Sequence, residues 1–275
     1  MALRATRDAS GVDIALGAQR VARYVFAPAT PASESPRPYL HPITTAAGVP
    51  VADFRPSDHS WHHGFSLALP NAGRANLWGG RSWDRATGAY LDRGDNGSMR
   101  TESIQVDAAG AIVSTVAWLD AAGERLATED RALTFAEEER GWTLDWESRI
   151  HATSPLTLGS PATNGRAGAG YGGLFFRAAP EFRGATARAD DGRSGQADDF
   201  LGERARSLAL TRPDGAATVR LATADTSSWF VRSMEYPGFG PAPFDTTEVQ
   251  VKPGDGWCLR ARLVVLDGDD TRRSG

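Results

Sequence analysis

Cysteine and lysine are almost missing from this 275-residue chain: Cys258 and Lys252 are the only ones. With one cysteine there can be no internal disulfide, and Cys258 sits in an apolar, strand-like stretch where a thiol serves as a small buried hydrophobe. The positive charge is therefore nearly all arginine. We read that mainly as codon bias, although guanidinium groups suit carboxylates, phosphates and sugars. There is no excess of positive charge either. The formal net charge is −4, where a nucleic-acid binder usually carries a basic stripe, so no nucleic-acid partner is expected. No run of about 18 apolar residues occurs, and no basic segment leading into an apolar stretch opens the sequence. No membrane association is expected, and the expected location is the cytoplasm.

Long helical patterns are also scarce. No segment longer than about ten residues repeats its apolar positions with helical period. What is present is alternation. Trp142, Leu144, Trp146 and Ile150 share one parity, and Thr143, Asp145, Glu147 and Arg149 the other. That is the pattern of a strand with one buried face. Similar runs at 104–106, 112–119 and 133–135 are separated by the turn-forming segments 107–110, 120–123 and 137–141, which predicts an antiparallel meander. Hairpins are expected at 12–16 with 21–26, at 207–210 with 218–221, and at 248–251 with 257–266. The polar, Gly-rich stretch 185–199 reads as an excursion loop. The 30 glycines and 16 prolines are scattered, as frequent turns require. The fold class expected is all-β, a large antiparallel β-sandwich, with residues 1–275 as a single domain.

Histidine is scarce but concentrated. Of five histidines, His59, His62 and His63 fall in Arg55-Pro-Ser-Asp-His-Ser-Trp-His-His-Gly64, and His41 lies just upstream in Arg37-Pro-Tyr-Leu-His-Pro42. Imidazole titrates near neutrality and is the commonest protein metal ligand. Three readings are open for Asp58 and these histidines. They could form an acid/base set with Asp58 orienting a histidine. They could be metal ligands, although the spacing matches no strict metal signature. They could also simply pin a loop by hydrogen bonds. Two aromatic, Gly-rich stretches, 164–177 and 229–244, offer the stacking faces and planar donors that a sugar needs. Glu129, Asp245 and Glu248 read as solvated charges.

The motifs at 37–42 and 58–64, Thr128-Glu-Asp-Arg131, Tyr171-Gly-Gly-Leu-Phe-Phe-Arg177, and Trp229-Phe-Val-Arg232 with Pro243-Phe244 resemble, in order, the PmoA-like family of soluble bacterial proteins. The resemblance implies a galactose-mutarotase-like supersandwich and a setting in carbohydrate metabolism. Other members often read Asp-His-Pro-His-His-Arg-Gly where this chain has Asp58-His-Ser-Trp-His-His-Gly64, so Trp61 and His63 replace a histidine and an arginine. Carried over by motif, His41, Asp58, His59, His62, Arg177 and Arg232 line the site.

The reading that results is a carbohydrate-active enzyme doing acid/base chemistry, as an isomerase, epimerase or lyase, on a sugar or oxidised-sugar derivative. His59, His62, Asp58 and His41 are the expected catalytic groups. Arg37, Tyr171, Arg177, Trp229 and Arg232 are expected to bind substrate. No metal ligand is assigned and no cofactor is identified. A metal-dependent hydrolase, lyase or oxygenase, and a non-catalytic sugar-binding protein, remain as alternatives.

Overall fold

The computed structural model describes residues 3–107 and 110–270. Strands dominate them, with three short 3-10 turns at Ala32–Glu34, Pro180–Phe182 and Ala197–Phe200. None of its helices is long and apolar enough to cross a membrane.

The meander forms where the alternation places it. Strands Ser98–Val106, Ile112–Leu119, Arg125–Glu138 and Gly141–Ala152 pair antiparallel in that order. The middle of the 107–110 turn, Ala108 and Ala109, lies outside the described residues. On the last strand Trp142, Leu144, Trp146 and Ile150 are buried, while Asp145 and Glu147 face outward and pair with Arg262 and Arg260 of the neighbouring strand Gly256–Asp267. Two-residue periodicity thus becomes one apolar and one charged face. Truncating a buried indole such as Trp146 to alanine is expected to cost about 3–5 kcal/mol.

A second layer contains Leu3–Arg7, Gly11–Leu16, Gln19–Val25, Tyr39–Ile43, Phe65–Ala68, Gly173–Arg177 and Gly238–Pro241. The 16-residue strand Ala217–Arg232 belongs to both layers. Its first part pairs with Gly256–Asp267, and its residues 229–232 pair with Gly238–Pro241. Between the layers, Phe65 meets Trp146 edge-on at 5.4 Å, and Trp142 Nε1 donates to the Thr44 carbonyl at 2.9 Å. The result is a large antiparallel β-sandwich whose buried cluster runs from Val12 to Val265.

Three expectations are corrected here. Glu129 is not a solvated charge: it is fully buried in strand Arg125–Glu138. Positions i and i+2 of a strand share a face, so Glu129 and Arg131 both enter the core, where Glu129 accepts from Arg131 Nε at 2.7 Å and Trp118 Nε1 at 2.9 Å. Ser148 Oγ also donates to it, and Arg131 reaches Tyr24 of the opposite layer. The expected hairpin of 248–251 with 257–266 does not form. Val249–Val251 pairs with Leu156–Gly159, which in turn pairs with Asn71–Ala72, whereas Gly256–Asp267 lies between two strands of the main sheet. Long-range pairing overrides the local turn at 252–255. The segment 185–199 is a hairpin, Thr186–Ala189 with Ser194–Gln196, that extends the sheet through Arg204–Thr211. Its buried face is only Ala187 and Ala189, too small to stand out in the sequence.

Candidate functional site

The histidine loop folds back on itself as successive turns. His59 N–H donates to the Pro56 carbonyl and His62 N–H to the His59 carbonyl, while Arg55 N–H closes onto the His62 carbonyl at 2.9 Å. Three residues apart across one turn, the His59 and His62 rings stack at 4.6 Å with 13° between their planes. His63 points the opposite way, into the interior, where its Nε2 lies 3.1 Å from Glu34 Oε2. The loop leaves through Gly64, whose φ is +54° and whose added Cβ would sit 2.2 Å from the Leu40 carbonyl oxygen, so no side chain fits there.

Arg37 fixes this loop from below. Its guanidinium donates to the carbonyls of Glu34, Ser35, Trp61 and Trp78 at 2.6–3.1 Å, and to Ser66 Oγ. It is fully buried. Burial pushes it down to about 9, against the pull of Glu34, so it remains a cation at neutral pH. Arg37 therefore positions loops and does not face solvent.

Asp58 and Arg177 make the electrostatic core of the site. Arg177 Nη2 lies 3.0 Å from both Asp58 oxygens, and His59 Nδ1 lies 3.0 Å from Asp58 Oδ2. Burial works to raise the Asp58 carboxyl, but the hydrogen bonds from His59 and Arg177 and the Arg177 charge outweigh it and hold it below the usual range. An ionised carboxylate only accepts, so His59 Nδ1 carries a proton, and a neutral His59 keeps its lone pair on Nε2. His62 is a neutral imidazole: burial first, then repulsion from His59 and Arg177, pushes it well below its ordinary value. Arginine only donates, so the 3.3 Å contact from Arg177 Nη1 makes His62 Nδ1 an acceptor and leaves the proton on Nε2.

His59 and His62 form one wall of a cavity of about 560 Å³. Its other walls are mainly aromatic: Trp61, Trp78, Tyr171, Phe230 and Tyr236. Trp78 joins the two sides, with its ring 5.6 Å from His62 and 4.6 Å from Tyr171. Tyr171 Oη lies 2.7 Å from Tyr90 Oη, and burial together with Tyr90 pushes its phenol well up. Tyr236 lies beneath Arg177, 4.7 Å from the guanidinium carbon. Trp61 packs over Gly79 and Gly80, both at positive φ, where an added Cβ would meet Trp61 Cβ at 2.6 Å and the indole ring at 2.8 Å, respectively.

The sequence-derived residues divide cleanly. His59, His62, Tyr171 and Arg232 line the cavity, and Asp58 and Arg177 stand directly behind the histidines. Arg37 lies under the loop. His41 stacks on Phe54 at 5.1 Å, lowered by burial against the pull of Asp53, and lines no part of the cavity. Trp229 is in the core, donating its Nε1–H to the Ala205 carbonyl. Its neighbour Phe230 takes the cavity place instead. In a strand, Trp229 and Val231 share one face and Phe230 and Arg232 the other, so period two applied to this segment identifies Phe230. Arg166 and Tyr236 fall within the aromatic stretches 164–177 and 229–244 without having been singled out, whereas Trp78, Tyr90 and Arg81 were missed, with only the Trp78-Gly-Gly80 sequence hinting at close packing.

Among the described residues, no group of three or more His, Cys, Asp or Glu side chains is arranged to hold a metal ion. Asp58 and Arg177 already occupy the two Nδ1 positions, leaving the stacked pair only its Nε2 atoms.

A search of curated proteins finds no match. Among solved structures, the chain is similar to the GH36 α-galactosidase AgaB from Geobacillus stearothermophilus, with a TM-score of 0.52 and 12% identity over 98% of this chain and 41% of that one. It is also similar to the heparan sulfate lyase HepC from Pedobacter heparinus (TM-score 0.46, 10% identity, 99% and 36% covered). A third is a galactose mutarotase-like protein from Lactobacillus casei (TM-score 0.44, 9% identity, 96% and 99% covered). The chain thus spans well under half the length of the first two enzymes. At these identities the likeness is one of fold. Residues 11–274 match the model of DUF6807, a family of unknown function, and the chain belongs to that family.

Proposed function

We propose that this protein is a carbohydrate-active enzyme that performs acid/base chemistry on a sugar, as an isomerase, epimerase or lyase. The observation that carries the reading is the Asp58–His59 couple set in the wall of an aromatic cavity. Asp58 holds the His59 ring in one tautomer, and Arg177 holds Asp58. His59 Nε2 is then the group that takes or returns a proton. His62, neutral and carrying its proton on Nε2, supplies a hydrogen-bond donor beside it. Trp61, Trp78 and Tyr236 offer faces for the apolar C–H surface of a sugar ring. The resemblance of the 37–42 and 58–64 motifs to PmoA-like proteins, and a cytoplasmic, single-domain chain, belong to the same proposal. The carbohydrate-related names of the structural neighbours accord with it.

The test is a panel of sugars and keto-sugars titrated while tryptophan fluorescence is followed, since Trp61 and Trp78 line the cavity. Saturable quenching by a sugar, lost in Trp78→Ala, is expected. A panel without any response would contradict the reading. The aromatic walls alone would equally serve a non-catalytic sugar-binding protein. In that case His59→Ala would leave both affinity and the bound sugar unchanged.

A further inference from the structure

We infer that the cavity takes an acidic sugar, one bearing a carboxylate, and that Arg81, Arg166 and Arg232 receive that group. The inference rests on the carbohydrate reading above and narrows it.

Charge balance is the first argument. The three arginines line the cavity, and the one carboxylate lining it is Glu235, whose side chain is 73% exposed and whose Oε2 stays 3.9 Å from Arg232 Nε. Asp58, behind the wall, is already matched by Arg177. His62 adds no charge. The lining is therefore net positive.

These arginines also lack a close carboxylate, the nearest being Glu235 at 3.9 Å from Arg232, whereas many others in the chain hold one. Arg23, Arg125, Arg193, Arg212 and Arg262 each hold a carboxylate at 2.6–2.8 Å. Arg81, among the described residues, makes no hydrogen bond or ion pair. Arg166 donates from Nη1 to Tyr90 Oη and lies over the Tyr90 and Trp83 rings, at 4.7 and 5.6 Å, with no carboxylate in reach. Those contacts fix the direction of its guanidinium and leave its remaining N–H groups free. Arg232 rests over Phe230 at 5.2 Å and spends one N–H on the Val231 carbonyl. A planar guanidinium fork held by aromatic rings is suited to two-point recognition of a carboxylate. The aromatic floor beneath it receives the ring of the same molecule.

The experiment is calorimetric titration of the full chain with D-glucuronate and D-galacturonate, with glucose and galactose, and with glucose 6-phosphate. The same titrations are run on Arg81→Gln/Arg232→Gln, whose fold is checked by circular dichroism and melting. At least one sugar acid is expected to bind about tenfold or more tightly than its neutral parent. The double variant is expected to lose that preference, its affinity for the acid falling about tenfold further than its affinity for the neutral sugar. Equal affinity for acid and neutral sugar, or a preference that survives the double variant, would overturn the carboxylate assignment and leave the carbohydrate reading standing. Tighter binding of the phosphate ester than of either sugar acid would overturn it as well. Binding by none of the five would overturn both. Should the double variant fail to fold, Arg81→Gln alone, at an exposed position, gives the same comparison.

Discussion

Arg177 reaches across 119 residues of sequence to place one nitrogen 3.0 Å from both oxygens of Asp58. The strand Gly173–Arg177 and the histidine loop thereby share one charge pair, and the pair decides which nitrogen of His59 carries a proton. Asp58→Asn keeps the shape but offers only one accepting oxygen, so it cannot satisfy Arg177 and His59 alike. The expected outcome is a mixed His59 tautomer in nitrogen-15 NMR and turnover lowered by roughly 10²–10⁴-fold. A fixed Nδ1–H tautomer in the variant, with full turnover, would show that Asp58 does not orient His59.

Acid is expected to weaken the fold. His41, His62 and His63 are all held below the ordinary histidine value, in each case chiefly by burial. The sign follows from linkage. Below the unfolded value of about 6.5, the unfolded chain takes up protons that the folded histidines refuse, so stability is intact above that pH and falls as pH drops toward the folded values. Each such histidine contributes a slope of about 1.4 kcal/mol per pH unit in that window. Urea midpoints measured from pH 7.5 to 5 are expected to fall, and His63→Gln to flatten the slope. A level profile would mean these imidazoles are solvated.

The buried pair Glu129–Arg131 provides a stability test away from the cavity. Both side chains are fully buried, and removing one partner strands the other's charge. Glu129→Gln is expected to cost about 3–5 kcal/mol in urea denaturation, and the double replacement Glu129→Gln/Arg131→Met less than the sum of the single ones. Additive losses would indicate that the two groups act independently.

Elemental analysis of protein purified without a histidine tag tests the donor geometry. Both Nδ1 atoms of the stacked histidines are engaged, and the Arg177 guanidinium lies beside them. Zinc, iron and manganese are expected well below one per chain. A stoichiometric metal lost in His59→Ala/His62→Ala would instead favour metal-assisted chemistry.

Much of the fold can be read from alternation. The four-strand meander follows from Trp142, Leu144, Trp146 and Ile150, because a strand with one buried face writes its period directly into the sequence. Partner choice is not written there: Val249–Val251 has an adjacent turn yet pairs with Leu156–Gly159. Side-chain direction is the other weak point. His59, His62 and His63 look equivalent along the chain, but the turn at 59–62 stacks the first two in the cavity wall and sends the third to Glu34. Trp229 and Phe230 differ in the same way, by one strand position. Glu129 looked solvated because two of its three donors, Trp118 and Ser148, come from neighbouring strands that only the folded sheet brings alongside.

The most direct test of His59 as the acid/base group is proton NMR of a bound sugar incubated with the native chain and with His59→Ala, with affinity measured in parallel. Conversion by the native chain is expected, slowed at least about 10²-fold by the substitution, while affinity changes only a few-fold. Equal conversion by both chains would contradict the assignment, as would binding by the native chain without any conversion.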